Sequence, residues 1–204
     1  MEITDETGKY CVKLARKASE SWIIYNKRIE PIKPIPEQAK EVYGAFVTVK
    51  KIVSSHEELR GCIGYPIGIK PLYQEIIDLA RESTMFDPRF PSVSEEELPQ
   101  LIFEVTILTP PEEIQYSTPE ELLEQIEIGR DGLIVRYGKF QGLLLPQVPV
   151  EQGWDKETFI TYTCKKAWLT GDAWKTLKLT VEKFQGVVFS EINPNGEIKR
   201  VNLK

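Results

Sequence analysis

A thiol, a guanidinium and two glycines lie together in residues 59–64, which read LRGCIG. An ionised cysteine is a nucleophile, and the neighbouring Arg60 would lower the pKa of the Cys62 thiol and hold an anionic group. Gly61 and Gly64 permit a close backbone approach and a positive φ, so they would expose Cys62 at a turn. Free cysteine is also among the most buried residue types, and small residues suit a strand in a crowded core. The run therefore predicts either a poised thiol or a packed strand.

Thiol chemistry also needs a group that moves protons. His56, the one histidine of the chain, precedes Cys62 in a polar hairpin loop and is the first candidate base; Glu104 is the second. With Arg60 or Arg89 holding the substrate, these residues would form a thiol-dependent enzyme that acts on a small anionic molecule. The candidate ligand-binding residues are Arg60, Gly61, Gly64, Phe86, Asp87, Arg89, Glu104 and Gln147.

The same residues would also serve a binding site that does no chemistry. Aromatic residues of the loop at 86–90 and Gln147 would line a groove, where Arg60 and Arg89 would bind a carboxylate of a ligand or an acidic segment of a partner. In a third interpretation, Asp87 and Arg89 pair with each other while the aromatic rings pack beneath the loop. We expect a cleft around LRGCIG that binds a small anionic ligand or a protein partner, with the thiol-dependent enzyme as the alternative.

The composition excludes several other classes of protein. A single histidine excludes metal centres built on two imidazoles, and three scattered cysteines, an odd number, fit no disulfide framework. We therefore expect reduced thiols, no metal and no cofactor. The 26 basic residues are spread out against 31 acidic residues, for a net charge of −5, so the sequence predicts no nucleic-acid partner.

The sequence also indicates where the protein works. No apolar run approaches the roughly 18 residues of a membrane span, and the start of the chain is acidic where a signal peptide would be basic. We therefore expect a cytoplasmic protein with no membrane partner. Lysine outnumbers arginine and glutamate outnumbers aspartate, a bias typical of thermophile proteins.

Helical and strand patterns alternate along the chain. Apolar residues at three- and four-residue spacing predict helices, whereas alternating or β-branched runs bounded by turn residues predict strands joined mostly as hairpins. We therefore expect an α+β fold with a mainly antiparallel sheet flanked by helices. The predicted helices are 5–28, 71–84, a short one that begins with a capping box at 94–97, one capped at 118 and one capped at 155. Cys11 and Cys164 fall in the first and last of these helices and are predicted core residues. The predicted strands are 42–52, 60–63, 101–108, 133–137, 143–145, 177–190 and 197–203, with a break at residues 146–149, where two prolines lie.

Several motifs, taken together, resemble the AMMECR protein family. They are LRGCIG at 59–64, FDPRF at 86–90, GLLLPQ at 142–147, GW at 153–154, CKKA at 164–167 and DAW at 172–174. The motifs fall in one order, and the resemblance extends from about residue 6 to residue 191.

The resemblance implies a single AMMECR-type domain over residues 1–204, with a larger and a smaller subdomain separated by a cleft. It implies a cytosolic protein whose activity is unassigned. It also implies a pathway shared with Memo-type and radical-SAM proteins, which makes these two classes the partner candidates.

Overall fold

The computed structural model describes residues 3–201, which divide into two compact units. The first unit comprises residues 3–109 and 187–201, and the second comprises residues 110–186. Both combine helices with antiparallel strand pairs. The fold is therefore α+β with a mainly antiparallel sheet and flanking helices, which confirms the class predicted from the sequence.

Helix α1 (Asp5–Tyr25) opens the first unit. The Thr4 side chain caps it by accepting from the Thr7 amide, as the position of a threonine before the apolar pattern predicts. The helix ends three residues earlier than predicted because Asn26 takes the left-handed conformation and terminates it.

Three adjacent strands of the first unit form the part of the sheet around the LRGCIG motif. Strands β1 (Gly44–Val53) and β2 (His56–Tyr65) make a hairpin whose turn residues Ser54 and Ser55 both have positive φ. Strand β3 (Leu101–Leu108), at the predicted bounds, pairs with the other side of β1, so β2 lies at the edge. Strand β2 begins four residues earlier than predicted, because the tight turn lets pairing start at His56.

Helix α2 (Leu72–Met85) packs against β1 and β2 and against α1. A short 3₁₀ helix, Glu95–Gln100, follows a complete capping box between Ser94 and Glu97, as predicted. The core of this unit is the apolar face of α1 and α2 on one side of the sheet. Its fully buried members include Leu14, Ala15, Val47, Val49, Leu72, Ile76, Leu79, Phe103 and Val105.

The second unit holds four strands and four helices in the described residues 110–186. Its strands lie in the order β4 (Glu112–Glu113), β7 (Thr180–Glu191, of which residues 180–186 belong to this unit), β5 (Asp131–Tyr137), β6 (Phe140–Leu144). Its helices are α3 (Pro119–Glu124), α4 (Gln147–Gln152), α5 (Lys156–Lys166) and α6 (Ala173–Thr176). Thr118 and Asp155 cap α3 and α5, as predicted, whereas α4 replaces the break expected between the prolines at 146 and 149.

Strand β7 (Thr180–Glu191) contributes residues 180–186 to the second unit and 187–191 to the first. In the first unit it pairs with β8 (Ile198–Val201), and the predicted continuation to residue 203 lies outside the described residues. At the end of β7, Glu191 accepts from the buried Arg16 guanidinium at 2.5 and 2.6 Å and from the Phe103 amide. This buried ion pair joins helix α1 to the last residue of β7.

Candidate functional site

Cys62 lies in a row of three polar side chains that crosses the sheet of the first unit. Cys62 of β2 is opposite Thr48 of β1, and Thr48 is opposite Glu104 of β3. The Cys62 Sγ and the Thr48 Oγ1 are 3.2 Å apart, within hydrogen-bond distance for sulfur. We call these residues the thiol row. All three are half-buried, whereas Val47 and Val49, which face α2, are fully buried.

On the same face of the sheet as the thiol row, Lys50 forms ion pairs with two glutamates. Its Nζ lies 2.9 Å from Glu104 and 3.2 Å from Glu57. Burial acts to lower the pKa of Lys50, but hydrogen bonds and charge from the two carboxylates outweigh burial and raise it. The ammonium therefore stays charged and holds Glu104 in its position in the thiol row.

The backbone of Cys62 is held at the sheet edge by the loop that follows α2. The Cys62 N–H donates to Asp87 Oδ2 at 2.8 Å, and Arg89 Nη2 donates to the Cys62 carbonyl at 3.0 Å. These peptide groups point away from β1, as they do in a non-hydrogen-bonded pair of an antiparallel ladder. Asp87 and Arg89 therefore occupy the place that another strand would take, and they fix the residue that carries the thiol.

Asp87 and Arg89 are strongly coupled to each other. The Asp87 carboxylate is 4% exposed and accepts from the Arg89 amide, Nε and Nη2 in addition to the Cys62 amide. The hydrogen bond from Arg89 holds the pKa of Asp87 well below its usual range, against the opposing effect of burial. The Arg89 pKa is raised, chiefly by Asp87, and Cys62 adds to that effect. The internal pairing considered for these two residues is therefore what the structure contains.

Arg60 is committed to a different carboxylate. Its Nε and Nη2 both lie 3.0 Å from the two oxygens of Glu97, and its Nη1 donates to the Pro91 carbonyl. The hydrogen bond from Arg60, helped by Lys51, lowers the pKa of Glu97 to about 2. A bulge between Val49 and Lys50 leaves Arg60 without a register partner on β1. The guanidinium therefore stabilises the loop at residues 91–97. Each of its three nitrogens already donates a hydrogen bond, so Arg60 has no free pair of nitrogens for the anion that it was predicted to bind.

The two glycines of the motif are needed for packing within β2. A Cβ at Gly61 would lie 2.0 Å from the Ser83 carbonyl oxygen of α2, and one at Gly64 would lie 2.3 Å from the Phe46 ring. Neither glycine has a positive φ. The turn that these glycines were predicted to permit is absent, and the alternative of a tight strand is correct.

Ser83 shows how closely α2 approaches this strand. Its hydroxyl accepts from the Ile63 amide at 3.0 Å and donates to the Val47 carbonyl at 2.7 Å, so it bridges β1 and β2 next to Cys62. The helix can reach between the strands because Gly61 presents no side chain.

The other candidates lie elsewhere. His56 is six residues from Cys62 on the same strand, about 20 Å away at roughly 3.3 Å per residue. Its imidazole therefore cannot reach the thiol, and the proposed pairing of His56 with Cys62 does not form. Phe86 is exposed, with its ring 4.6 Å from the Arg81 guanidinium. Gln147 is the first residue of α4 and belongs to the second unit.

Cys62 differs from the two other cysteines in its exposure. Cys11 and Cys164 are fully buried in the cores of the first and second units, as their positions in apolar helices predict. Burial raises the pKa of Cys11 far above its ordinary value and raises that of Cys164 to about 11. Only Cys62 is partly exposed. It is therefore the thiol most open to reagents and ligands in the folded chain.

Sequence reasoning missed Thr48, Lys50 and Ser83. Alternation along residues 45–50 places Thr48 and Lys50 on one face, a signal that was available. Their position beside Cys62 and Glu104 depends on strand register, which alternation does not give.

Residues 3–201 lack two other kinds of feature, a metal-binding cluster and a membrane-spanning helix. Those residues contain no group of three or more histidine, cysteine or acidic side chains placed to hold a metal ion. None of their helices has both the length and the apolar composition needed to cross a bilayer.

Comparison with known proteins gives one consistent result. Residues 12–189 match the family model described as AMMECR1. The protein PH0010 of Pyrococcus horikoshii is 48% identical over 203 residues, which cover 99% of this chain and 98% of that protein. A protein of Thermofilum pendens is 45% identical and covers 96% and 95% of the two chains. The crystal structure of PH0010, described as an uncharacterized protein, covers 99% and 100% of the two chains with a TM-score of 0.82.

Proposed function

Since the chain belongs to the AMMECR1 family, and the relatives above have names that state no activity, we propose a function from the site: Cys62 and Arg89 bind an anionic group. The group would belong to a small ligand or to an acidic segment of a protein partner. The observation that carries this proposal is that Cys62, whose thiol is partly exposed, accepts through its carbonyl from the exposed guanidinium of Arg89 and contributes to the raised pKa of Arg89. The side chain of Arg89 is 53% exposed, and its Nη1 has no hydrogen-bond partner among residues 3–201.

The rigidity of the site supports binding. The Cys62 N–H and carbonyl are held by Asp87 and Arg89, and the strand that carries them pairs with β1 on its other side. Thr48 fixes the thiol at 3.2 Å, and Lys50 fixes Glu104. Groups held in place before a ligand arrives lose little conformational freedom when it binds.

Binding is favoured over catalysis because the thiol lacks a nearby base. The Thr48 hydroxyl and the Arg89 guanidinium, which interact with Cys62, accept no proton at neutral pH. The Asp87 carboxylate is engaged by the Cys62 amide and by three donors of Arg89. The imidazole of His56 is about 20 Å away along β2.

A thiol-dependent enzyme that acts on a small anionic substrate is the second candidate. The row of Cys62, Thr48 and Glu104 favours it, because Glu104 is the one carboxylate in register with the thiol. In that case Cys62 would be the nucleophile, Glu104 the proton acceptor and Arg89 the group that orients the substrate.

The proposal also covers the cellular location of the protein and its partners. We place the protein in the cytoplasm, where reduced thiols persist. The Memo-type and radical-SAM proteins implied by the family resemblance are the partners to test first, through an acidic segment that Arg89 would bind.

The test compares the alkylation of Cys62 by iodoacetate, which is anionic, and by iodoacetamide, which is neutral. We expect the ratio of the two rate constants to exceed that of glutathione by about fivefold, because one nearby cation contributes about 1 kcal/mol to the approach of an anion. Arg89→Gln should return the ratio to the glutathione value. Peptide mass mapping locates the modified cysteine, and Cys62→Ser should abolish labelling of the folded protein.

Arg136→Gln is the matched control, because Arg136 is a half-exposed arginine of the second unit that also pairs with one carboxylate. It should leave the ratio unchanged. Labelling only after unfolding, labelling at Cys11 or Cys164, or an unchanged ratio in Arg89→Gln would each contradict the proposal.

A further inference from the structure

A groove of about 520 Å³ lies in the first unit and shares no residue with the thiol row. Two aromatic side chains, Trp22 and Tyr65, line it together with the cations Arg28, Lys70 and Arg81. We call it the arginine groove. Its volume falls within the range of roughly 300–1,000 Å³ that is typical of small-molecule sites.

Arg81 is the most unusual residue of the arginine groove. Its guanidinium carbon lies 4.6 Å from the ring centroid of Trp22 and 4.6 Å from that of Phe86, so the cation is placed between two aromatic rings. The Arg81 Nε is buried and has no hydrogen-bond partner among residues 3–201. Because that atom is inaccessible, a ligand of the groove would contact the terminal nitrogens of Arg81, whose side chain is 39% exposed.

The charges that line the groove leave one positive charge in excess. Arg28, Lys70 and Arg81 face two carboxylates, Asp78 and Glu82. Asp78 accepts from Arg28 Nε at 3.1 Å and from Lys70 Nζ at 2.5 Å, while Glu82 lies 3.5 Å from Arg81 Nη1.

Arg28 and Arg81 each have N–H groups that donate no hydrogen bond to residues 3–201. The terminal nitrogens of Arg28 have no partner among the described residues, and neither has Arg81 Nη2. One monoanion would balance the excess charge and supply acceptors for these donors.

One further acid lies near the groove without lining it. Glu75 is fully buried, 3.9 Å from Lys70, and both of its carboxylate oxygens lack a hydrogen-bond partner among residues 3–201. Burial raises the pKa of Glu75 and so favours its neutral form. Because Glu75 does not line the groove, the excess of one positive charge is counted over the lining residues alone.

We propose that the arginine groove binds a molecule with an aromatic ring and one carboxylate. The ring would stack on Trp22 and Tyr65, and the carboxylate would accept from Arg28 and Arg81. Aromatic faces pair with rings and guanidinium groups pair with carboxylates, so both halves of the ligand meet a matching surface. Such chemistry occurs in a free aromatic acid and at the end of a chain that finishes in an aromatic residue.

Calorimetric titration of the full chain with indole-3-acetate tests this proposal, with indole-3-acetamide as the neutral analogue and acetate as the analogue without a ring. We expect saturable binding of indole-3-acetate, and binding about tenfold weaker for the amide, which loses the charged hydrogen bonds. Arg28→Gln should weaken indole-3-acetate about fivefold, because it removes one exposed cation. Arg81→Gln should weaken it further, provided that a thermal melt shows the variant folded.

Arg136→Gln again serves as the matched control and should bind like the unaltered protein. Equal binding of the acid and the amide, an equal loss in Arg136→Gln, or no saturation at millimolar indole-3-acetate would each overturn the proposal. The peptide acetyl-Gly-Gly-Trp with a free carboxyl end distinguishes the source of the ligand: tighter binding than indole-3-acetate indicates a chain terminus, and weaker binding indicates a free acid. Cys62→Ser should not affect any of these titrations, so the result is independent of the function proposed for the thiol row.

Discussion

Replacing Asp87 by asparagine removes the negative charge that binds the Cys62 amide and Arg89, while it keeps the shape of the side chain. The carboxylate accepts from the Cys62 amide and from the amide, Nε and Nη2 of Arg89. Asparagine has a single acceptor oxygen, and its NH₂ group would face donors. At least two of these hydrogen bonds are therefore lost in Asp87→Asn.

The loss of unfolding free energy in Asp87→Asn depends on how exposed Asp87 and Arg89 are. A hydrogen bond to a charged group is worth about 1.5–3 kcal/mol, and a donor left buried without an acceptor costs about 1–3 kcal/mol. The Arg89 side chain is half exposed and will hydrate, whereas Asp87 is buried. We therefore expect Asp87→Asn to lose about 2–3 kcal/mol of unfolding free energy at pH 7, which lowers Tm by about 4–12 °C in a chain of this size.

The pH dependence gives a sharper test. The pKa of Asp87 is depressed in the folded state and is about 3.9 in the unfolded chain. Its contribution to stability is therefore complete above pH 5 and is lost as the pH falls through the folded pKa. The gap between the unaltered protein and Asp87→Asn should be constant from pH 7 to 5 and should narrow by about 1 kcal/mol between pH 4 and 3.

Denaturant titrations at pH 7, 5, 4 and 3 measure this gap. Asp172→Asn is the control, because Asp172 is exposed and its side chain makes no capping hydrogen bond; it should stay within about 0.5 kcal/mol of the unaltered protein. A loss below about 0.5 kcal/mol at pH 7, or a gap of equal size at pH 3 and pH 7, would refute the reasoning.

Two further predictions concern packing and a buried ion pair. Gly61→Ala should cost about 1–3 kcal/mol, because its Cβ would force the Ser83 carbonyl away from β2; Gly171→Ala, which would meet only side-chain carbons at 3.0 and 3.1 Å, should be nearly neutral. Equal melting temperatures for the two alanine variants would show that α2 does not need this glycine. Glu191→Gln should cost about 3–5 kcal/mol in denaturant unfolding, because it removes the buried carboxylate that neutralises Arg16, whereas Glu157→Gln breaks an exposed pair and should cost less than about 1 kcal/mol. A small loss in Glu191→Gln would mean that the partly exposed Glu20, which already lies 3.3 Å from Arg16, is a sufficient partner.

Much of the fold could be predicted because its signals are local. Thr4, Thr118 and Asp155 precede helices that they cap, and Ser94 with Glu97 forms the predicted capping box. A cap depends on a few neighbouring residues, so the sequence displays it directly. Pro149 shows where a local signal is ambiguous, because proline interrupts the interior of a helix but is tolerated in its first turn. We predicted a break at this proline, whereas it lies in the first turn of α4.

The candidate site was harder because its contacts are not local. Residues 59–64 were identified as a group, yet Arg60 pairs with Glu97, 37 residues later, and Cys62 meets Thr48 through the register of a hairpin. A shift of one residue would turn every side chain of the strand to the other face, and composition does not encode that choice. Asp87 and Arg89 were predicted correctly as an internal pair among the alternatives because they are two residues apart.

The ion pair between Arg16 and Glu191 bears on how the chain is made. These residues are 175 positions apart, so on a ribosome that adds about 5–20 residues per second Glu191 emerges roughly 9–35 s after Arg16. Residues 110–186 are synthesised in that interval, and the first unit still lacks the end of β7 and all of β8. The first unit therefore begins to be synthesised before the second unit and is completed after it, and until Glu191 emerges Arg16 lacks the carboxylate that pairs with it in the core.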